Sequence, residues 1–260
     1  MLKDRVIVII GGTTGLGLSA ALACAAAGAR VLVVGRKPDG VESAGRELGD
    51  AGIAIVGDAT DPATAPAAIA RAAEVFGGVH GLYHVAGGSG RRRGDGPLHE
   101  VTDDGWAYTQ DLNLTSLFYS NRAAARHFLA AGHGGSVLNM GSVLGQSPSP
   151  GYFATHAYAA AKSAVIGFTK SCAAYYAPKG IRFNVVTPAL VETPMAQRAA
   201  NDAEIQKFVA LKQPLDGGRI GRASDLDAAV VYFLSDASAF ATGQVLAVDG
   251  GWGVSEGRHV

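Results

Sequence analysis

The sequence contains very few cysteines, which excludes a disulfide-stabilised scaffold. Of its 260 residues only Cys24 and Cys172 are cysteines, and they lie far apart in apolar, helix-like segments. Two isolated thiols are typical of a protein in a reducing compartment. The seven histidines are scattered without a metal-ligand spacing, so the sequence predicts no metal site.

Long apolar runs and an excess of charge of one sign are also absent. No stretch reaches the roughly 18 apolar residues of a membrane span, and the apolar N-terminal stretch is too short for a signal peptide. Lys plus Arg and Asp plus Glu both total 22, so the formal net charge is zero. This balance provides no field that would attract nucleic acid or an anionic membrane. We therefore expect a cytoplasmic protein without either partner.

Short apolar runs alternate with longer helical patterns along the whole chain. Hydrophobic residues make up 48% of it, which is enough for a sizeable core. The runs are rich in Val, Ile and Leu, as in strands buried on both faces of a parallel sheet. The predicted strands are Arg5–Ile10, Arg30–Gly35, Ile53–Gly57, Val79–Val85, Ser136–Gly141, Ile181–Thr187 and Gln244–Val248. The predicted helices are Leu16–Ala27, Val41–Ala51, Pro62–Phe76, Asp104–Ala131, Thr155–Ala177 and Ser224–Ser235.

This alternation predicts an α/β fold, a doubly wound parallel seven-stranded sheet flanked by helices on both faces. No linker, composition break or internal repeat divides the chain. We therefore expect residues 1–260 to form a single domain, with a substrate flap at about 191–221.

A glycine-rich loop follows the first predicted strand and opens a helix. Its residues Gly11, Thr13, Thr14, Gly15, Leu16 and Gly17 occupy the position at which a backbone approaches a dinucleotide diphosphate. The alternative is a purely structural turn, which this strand-before, helix-after context disfavours.

The end of the second strand distinguishes between two cofactors. NAD-binding domains usually place an acidic residue there for the ribose hydroxyls, but this strand is followed by Arg36 and Lys37. Arg36 could bind a 2′-phosphate as a charge-assisted fork. The sequence thus favours NADP(H) over NAD(H). The alternative is that Arg36 is solvated or stacks on the adenine.

A tyrosine and a lysine stand four residues apart in the fifth predicted helix. This spacing places Tyr158 and Lys162 on one helix face. A free tyrosine has a pKa of about 10, and a nearby ammonium group lowers that pKa towards neutrality. The pair therefore indicates a tyrosine that acts as a general acid/base.

These motifs, taken in order, resemble the short-chain dehydrogenase/reductase family over nearly the whole chain, in its compact single-domain branch. The resemblance implies a Rossmann-type fold and an oxidoreductase that transfers hydride between NAD(P)(H) and a secondary alcohol/ketone substrate. It also implies a homotetramer, or a homodimer, in which the fourth and fifth helices pair between subunits. The matching stretches are Gly11–Gly17, Asp58–Asp61, Ala86–Gly87, Asn113–Leu114, Asn139–Ser142, Tyr158–Lys162, Asn184–Pro188 and Thr242–Gly251.

The resemblance also implies the role of each catalytic residue. Tyr158 would exchange a proton with the reacting oxygen, and Lys162 would lower the pKa of Tyr158 and hydrogen-bond the nicotinamide ribose. Ser142 would hold the substrate oxygen, while Asn113 would position a water that relays protons to Lys162.

The same resemblance implies further residues that contact the cofactor. Asp58 would meet the adenine edge, and Val191 and Thr193 would meet the carboxamide. The remaining implied cofactor contacts are Ala59, Ala86, Gly87 and Pro188. Tyr158 and Lys162 belong both to the catalytic residues and to the cofactor contacts.

The sequence departs from the family pattern without removing a catalytic side chain. Ile10 stands where the family has threonine, His84 and Val85 replace two asparagines, and Ala189 replaces a glycine. These changes put the cofactor geometry in doubt. They leave open a catalytically silent nucleotide-binding scaffold or sensor, and an epimerase or dehydratase that uses the cofactor transiently.

For each of two further segments, the sequence allows a functional and a structural interpretation. Arg91, Arg92 and Arg93 could attract a substrate carboxylate or phosphate, or form a solvated loop. The Gln146–Thr155 segment could line the substrate pocket or serve only as a connection.

Overall fold

A computed structural model describes residues 1–193, 196 and 201–257. Its seven strands form one parallel sheet in the order β3-β2-β1-β4-β5-β6-β7. The strands are β1 Val6–Ile10, β2 Arg30–Gly35, β3 Gly52–Val56, β4 Gly81–His84, β5 Gly135–Met140, β6 Ile181–Pro188 and β7 Val245–Val248. The helices are α1 Gly15–Ala26, α2 Pro38–Leu48, α3 Thr64–Phe76, α4 Asp103–Gln110, α5 Ser116–Ala131, α6 His156–Tyr176, α7 Ala203–Lys212 and α8 Asp227–Leu234.

Both faces of the sheet are covered by helices, so the predicted fold class is confirmed. Alternate residues of the central strands enter two cores, with Ile7 and Ile9 on one side and Val8 on the other. Helices α1, α2 and α8 pack on the first face, and α3, α5 and α6 on the second. Every residue of β1 is buried, which explains why its sequence is an unbroken apolar run.

The chain order reverses across the sheet between β1 and β4, which lie side by side. In open parallel sheets ligands bind outside the carboxyl ends of the strands at such a switch point. The residues that follow β1 and β4 are the glycine loop and the segment that begins at Val85, so the predicted cofactor residues lie at this edge.

Several predicted helices differ in detail from the structure. The predicted helix Asp104–Ala131 contains a π-helical turn at Asp111–Thr115 between α4 and α5. Helix α2 begins at Pro38, three residues before the predicted start, because Pro38 occupies a first-turn position that proline favours. Within the predicted flap, α7 is a regular helix whose first N–H groups are capped by Asp202. Residues 194, 195 and 197–200 of that flap, including Met195, lie outside the described residues.

Candidate active site

The glycine loop is bound to the end of β2 and to the segment after β4. The N–H groups of Gly11 and Gly12 donate to the carbonyl oxygen of Val34 at 2.9 and 3.0 Å. Gly11 has a φ of +91°, and a Cβ there would lie 2.6 Å from the backbone nitrogen of Ala86. A Cβ on Gly17 would lie 2.0 Å from the carbonyl oxygen of Gly11. Only glycines allow this backbone path, in which the loop opens directly into α1.

Thr13 and Thr14 complete this loop. Thr13 is buried and packs on the end of β2, since a Cβ on Gly35 would lie 2.1 Å from Thr13 Oγ1. Thr14 is exposed and precedes Gly15, the first residue of α1. The first N–H groups of a helix have no acceptor within the helix and can bind a diphosphate, so the loop that opens into α1 fits a dinucleotide cofactor.

Arg36 and Asp58 interact at the carboxyl ends of β2 and β3. Burial acts to raise the pKa of Asp58, but hydrogen bonds from Thr60 and the charge of Arg36 hold it below its usual value. Both residues are exposed. Asp58 also lines a surface depression at the end of β3, beside Ala59 in the chain. The structure thus places a cation and an anion together at this corner.

A buried group of polar side chains lies at the carboxyl ends of β4 and β5. Ser142, two residues after β5, is 7% exposed, and its Oγ accepts the Leu144 N–H at 3.2 Å. Lys162 is 2% exposed and donates from Nζ to the carbonyl oxygen of Met140 at 2.9 Å. Tyr158 is half-buried and hydrogen-bonds with Ser142. The structure therefore brings together three of the four predicted catalytic residues, Ser142, Tyr158 and Lys162.

Burial shifts the pKa values of this group. It raises the pKa of Tyr158, against which the hydrogen bond with Ser142 acts in the opposite direction. It lowers the pKa of Lys162 to about 8. The sequence predicts that Lys162 lowers the pKa of Tyr158. In the structure the net shift of the Tyr158 pKa is upward, because desolvation of the phenol outweighs the hydrogen bond with Ser142. Lys162 Nζ lies 5.5 Å from the centre of the Tyr158 ring.

Asn113 belongs to the π-helical turn and is fully buried. Its amide donates to the carbonyl oxygens of Gly88 and Thr109 at 2.8 and 2.9 Å, and its Oδ1 accepts the Gly88 N–H at 3.0 Å. A Cβ on Gly87 would lie 2.8 Å from Asn113 Oδ1 and 3.5 Å from Lys162 Nζ. Asn113 and Lys162 therefore converge on Gly87. A π-helical turn is frequent at functional sites, but the helical pattern of this segment conceals it.

His84 stands at the end of β4 where the family pattern has asparagine. The ring is 1% exposed, with Nδ1 2.8 Å from Ser120 Oγ and Nε2 3.3 Å from Ser116 Oγ. Burial, with the positive charge of Lys162, lowers the pKa of His84 to about 3 despite a backbone hydrogen bond with Ala86. A neutral imidazole thus occupies the asparagine position and connects β4 to α5.

The remaining predicted cofactor residues follow β6. Pro188 ends the strand, and Val191 is buried and pairs with Gly221 in an isolated parallel bridge. Thr193 is half-buried, and its carbonyl oxygen accepts the Ala196 N–H at 2.9 Å.

The arginine segment and the loop before α6 are adjacent. Arg91, Arg92 and Arg93 form an exposed 3-10 turn. The Arg91 guanidinium donates to the carbonyl oxygen of Tyr152 at 3.4 Å, and the guanidinium carbon of Arg93 lies 5.3 Å from the Tyr108 ring centre. Their proposed attraction for an anion stays a prediction.

Comparisons with known proteins identify the family to which the chain is similar. The family described as Enoyl-(Acyl carrier protein) reductase matches residues 11–253. A cis-4-hydroxycyclohexanecarboxylate dehydrogenase of Sinomonas cyclohexanicum is 35% identical over 252 residues, 96% of each chain. A short-chain type dehydrogenase/reductase of Mycobacterium ulcerans superposes with a TM-score of 0.89 at 32% identity, covering 98% of this chain and 91% of that one. A gluconate 5-dehydrogenase of Burkholderia cenocepacia J2315, solved with NADP and tartrate, superposes with a TM-score of 0.87 at 31% identity over 96% of each chain.

The chain belongs to the short-chain dehydrogenase/reductase family. It is a nicotinamide-cofactor-dependent oxidoreductase that transfers hydride between that cofactor and a secondary alcohol/ketone substrate. None of the helices that the structure describes has the length and hydrophobicity to cross a membrane.

Proposed function

We propose that this oxidoreductase uses Tyr158 as its general acid/base, with Ser142, Lys162 and Asn113 completing the site. The observation that carries the proposal is the position of Lys162 Nζ, 2.9 Å from the carbonyl oxygen of Met140 and 5.5 Å from the centre of the Tyr158 ring. Ser142 acts on the same phenol. A neutral phenol is the form that can donate a proton, and burial favours it by raising the pKa of Tyr158.

In the direction of ketone reduction, Ser142 would donate a hydrogen bond to the carbonyl oxygen, and Tyr158 would deliver a proton to that oxygen. The reduced nicotinamide supplies the hydride when it is bound. Lys162 would then return a proton to Tyr158, with Asn113 holding a water on the route to Lys162. Alcohol oxidation would run the same proton path in reverse.

We propose NADP(H) as the preferred cofactor. The glycine loop, Asp58, Ala59, Ala86, Gly87, Pro188, Val191 and Thr193 would hold the dinucleotide. The support for the 2′-phosphate is Arg36, which is exposed after β2 where an acidic residue would favour NAD(H). The charge of Asp58 beside Arg36 competes with the phosphate, so the preference is expected to be moderate.

The substrate would bind under a roof formed by the 191–221 flap in a single catalytic domain. Phe208 of α7 contacts Tyr152 of the loop before α6, with ring centres 5.2 Å apart, and Trp252 at 5.7 Å. Two compared proteins are named for cis-4-hydroxycyclohexanecarboxylate and for gluconate, which both carry a carboxylate and at least one secondary hydroxyl group. These names, with the arginine turn beside Tyr152, make hydroxy acids the first substrates to test.

We also propose a homotetramer, or a homodimer, in the cytoplasm. Trp106 of α4 and Phe118 of α5 are 46% and 38% exposed, which is high for large apolar side chains of adjoining helices. A partner subunit would cover them. Both cysteines are free thiols, as expected in a reducing compartment.

The test is a screen of the purified protein with NADPH, NADH and their oxidised forms. The substrate panel contains cis-4-hydroxycyclohexanecarboxylate, gluconate and their ketone counterparts. Tyr158→Phe removes the acid/base and keeps the ring, so turnover should fall by about 1,000-fold or more while NADPH binding is largely retained. Retained turnover in Tyr158→Phe would refute the assigned role.

A scaffold or sensor would instead bind NADPH and turn over none of the panel, in the unmutated protein as in Tyr158→Phe. An epimerase or dehydratase would convert a substrate without net change in nicotinamide absorbance, which chromatography of the products detects.

A further inference from the structure

The first turn of α6 receives its hydrogen bonds from a distant part of the chain. The first N–H groups of a helix have no acceptor within that helix. Here Asp95 Oδ1 accepts the Ala157 N–H at 2.9 Å, and Asp95 Oδ2 accepts the Tyr158 N–H at 3.0 Å. The carbonyl oxygen of Gly96 accepts the His156 N–H at 3.1 Å. Residues 95 and 96 therefore cap the turn that carries Tyr158.

The residue that precedes α6 does not provide a side-chain cap for these N–H groups. Thr155 is the residue before α6, and among the described residues its side chain caps none of the helix N–H groups. Asp95 lies 63 positions before Tyr158, so the connection is a tertiary one. The geometry of the Tyr158 backbone thus depends on the loop that follows β4.

Asp95 is buried, with 4% of its surface exposed. A buried carboxylate is costly unless its oxygens are hydrogen-bonded. The two N–H groups of α6 meet this need, and the positive end of the helix dipole adds a favourable interaction. These contacts fix both oxygens of the side chain.

The segment that carries Asp95 is itself packed directly on α4. The Thr102 N–H donates to the carbonyl oxygen of Gly94 at 3.1 Å. A Cβ on Gly90 would lie 1.7 Å from Thr109 Oγ1, and a Cβ on Gly105 would lie 2.6 Å from the carbonyl oxygen of Arg93. The start of the loop is held by Asn113 through Gly88. The loop that carries Asp95 is therefore held against α4 and the π-helical turn.

We propose that Asp95 is a positioning residue for Tyr158. By fixing the backbone nitrogen of Tyr158, it sets the point from which the phenol reaches Ser142. The inference rests on the proposed role of Tyr158. It adds that the loop after β4 takes part in the reaction through the alignment of the acid/base, without touching the substrate.

The test compares Asp95→Ala and Asp95→Asn with the unmutated protein, on the panel substrate that turns over fastest. A misplacement of about 1 Å can cost on the order of 100-fold in rate, so we expect Asp95→Ala to lower kcat by about that factor. The NADPH dissociation constant and KM should change by no more than about threefold. Asparagine keeps one acceptor oxygen, so Asp95→Asn should recover part of the lost kcat.

A matched control separates alignment from stability. Ile69 of α3 is 5% exposed and is assigned no role in the site, so Ile69→Ala should open a cavity in the core and lower the melting temperature with kcat retained. If Asp95→Ala does not fold, Asp95→Asn decides alone, with an expected kcat loss of about tenfold.

Two results would overturn the inference. One is a kcat of folded Asp95→Ala equal to that of the unmutated protein. The other is a loss expressed wholly in the NADPH dissociation constant. Tyr158→Phe, assayed in parallel, keeps the proposals distinct. An inactive Tyr158→Phe beside a fully active Asp95→Ala refutes only the positioning role, whereas an active Tyr158→Phe refutes the proposed function itself.

Discussion

The ε-amino nitrogen of Lys162 donates a 2.9 Å hydrogen bond to the carbonyl oxygen of Met140, the last residue of β5. The bond fixes the ammonium group one helical turn from Tyr158 at the carboxyl edge of the sheet. Burial at this position lowers the pKa of Lys162 to about 8. The site therefore holds a lysine whose proton can leave near neutral pH.

Because the pKa of Lys162 is lowered in the folded protein, the free energy of unfolding should depend on pH. Between pH 8 and 10.5 the unfolded state keeps the Lys162 proton while the folded state releases it, so the free energy of unfolding rises with pH in this window. Lys162→Met removes the titration. Its stability relative to the unmutated protein should be highest at pH 7 and fall by about 3 kcal/mol by pH 10.5. Urea unfolding of both proteins across this range measures the difference, and a constant difference would contradict the shift.

Arg36→Ala should weaken the binding of NADPH and leave that of NADH unchanged. A charged hydrogen bond contributes about 1.5–3 kcal/mol, which corresponds to an increase of roughly 10- to 100-fold in the NADPH dissociation constant. Calorimetric titration with both cofactors measures the change. Arg30→Ala, which removes an exposed arginine at the opposite end of β2, is the matched control.

The alternatives for Arg36 give different results. An equal loss for both cofactors would indicate that the side chain stacks on the adenine. No loss for either would indicate a solvated residue.

His84 should make the protein sensitive to acid. Its pKa is about 3 in the folded protein and 6.5 ordinarily, so only the unfolded state binds the proton between these values. Stability is therefore lost as pH falls through this window, by about 3 kcal/mol between pH 7 and 4.5. His84→Asn keeps a polar side chain that does not titrate. It should lose correspondingly less stability over the same interval in urea unfolding, and an equal loss in the two proteins would refute this account.

The sequence predicts the parts of the site that local patterns encode. Apolar runs mark the strands, glycines mark the cofactor loop, and the four-residue spacing marks Tyr158 and Lys162. What it does not predict depends on contacts between distant segments. Asp95 meets α6 from across 62 positions, and the low pKa of His84 follows from complete burial. The π-helical turn at Asn113 is hidden because its apolar pattern matches that of an ordinary helix.

Trp252 connects three segments beside the site, and its removal should affect substrate binding. The ring is 1% exposed, lies 5.8 Å from Phe153 and 5.7 Å from Phe208, and donates from Nε1 to the carbonyl oxygen of Ser147 at 3.1 Å. These contacts join the chain after β7 to the loop before α6 and to α7. A movement of any of the three would displace the roof proposed for the substrate.

Trp252→Ala should therefore cost about 3–5 kcal/mol in the free energy of unfolding and raise KM, with the NADPH dissociation constant unchanged. Trp252→Phe keeps the apolar contact and loses one hydrogen bond, so its cost should be about 1 kcal/mol. Phe128→Ala, in the fully buried core of α5, controls for destabilisation and should leave KM unchanged. A KM of Trp252→Ala equal to that of Phe128→Ala would show that the cluster stabilises the fold without shaping the substrate site.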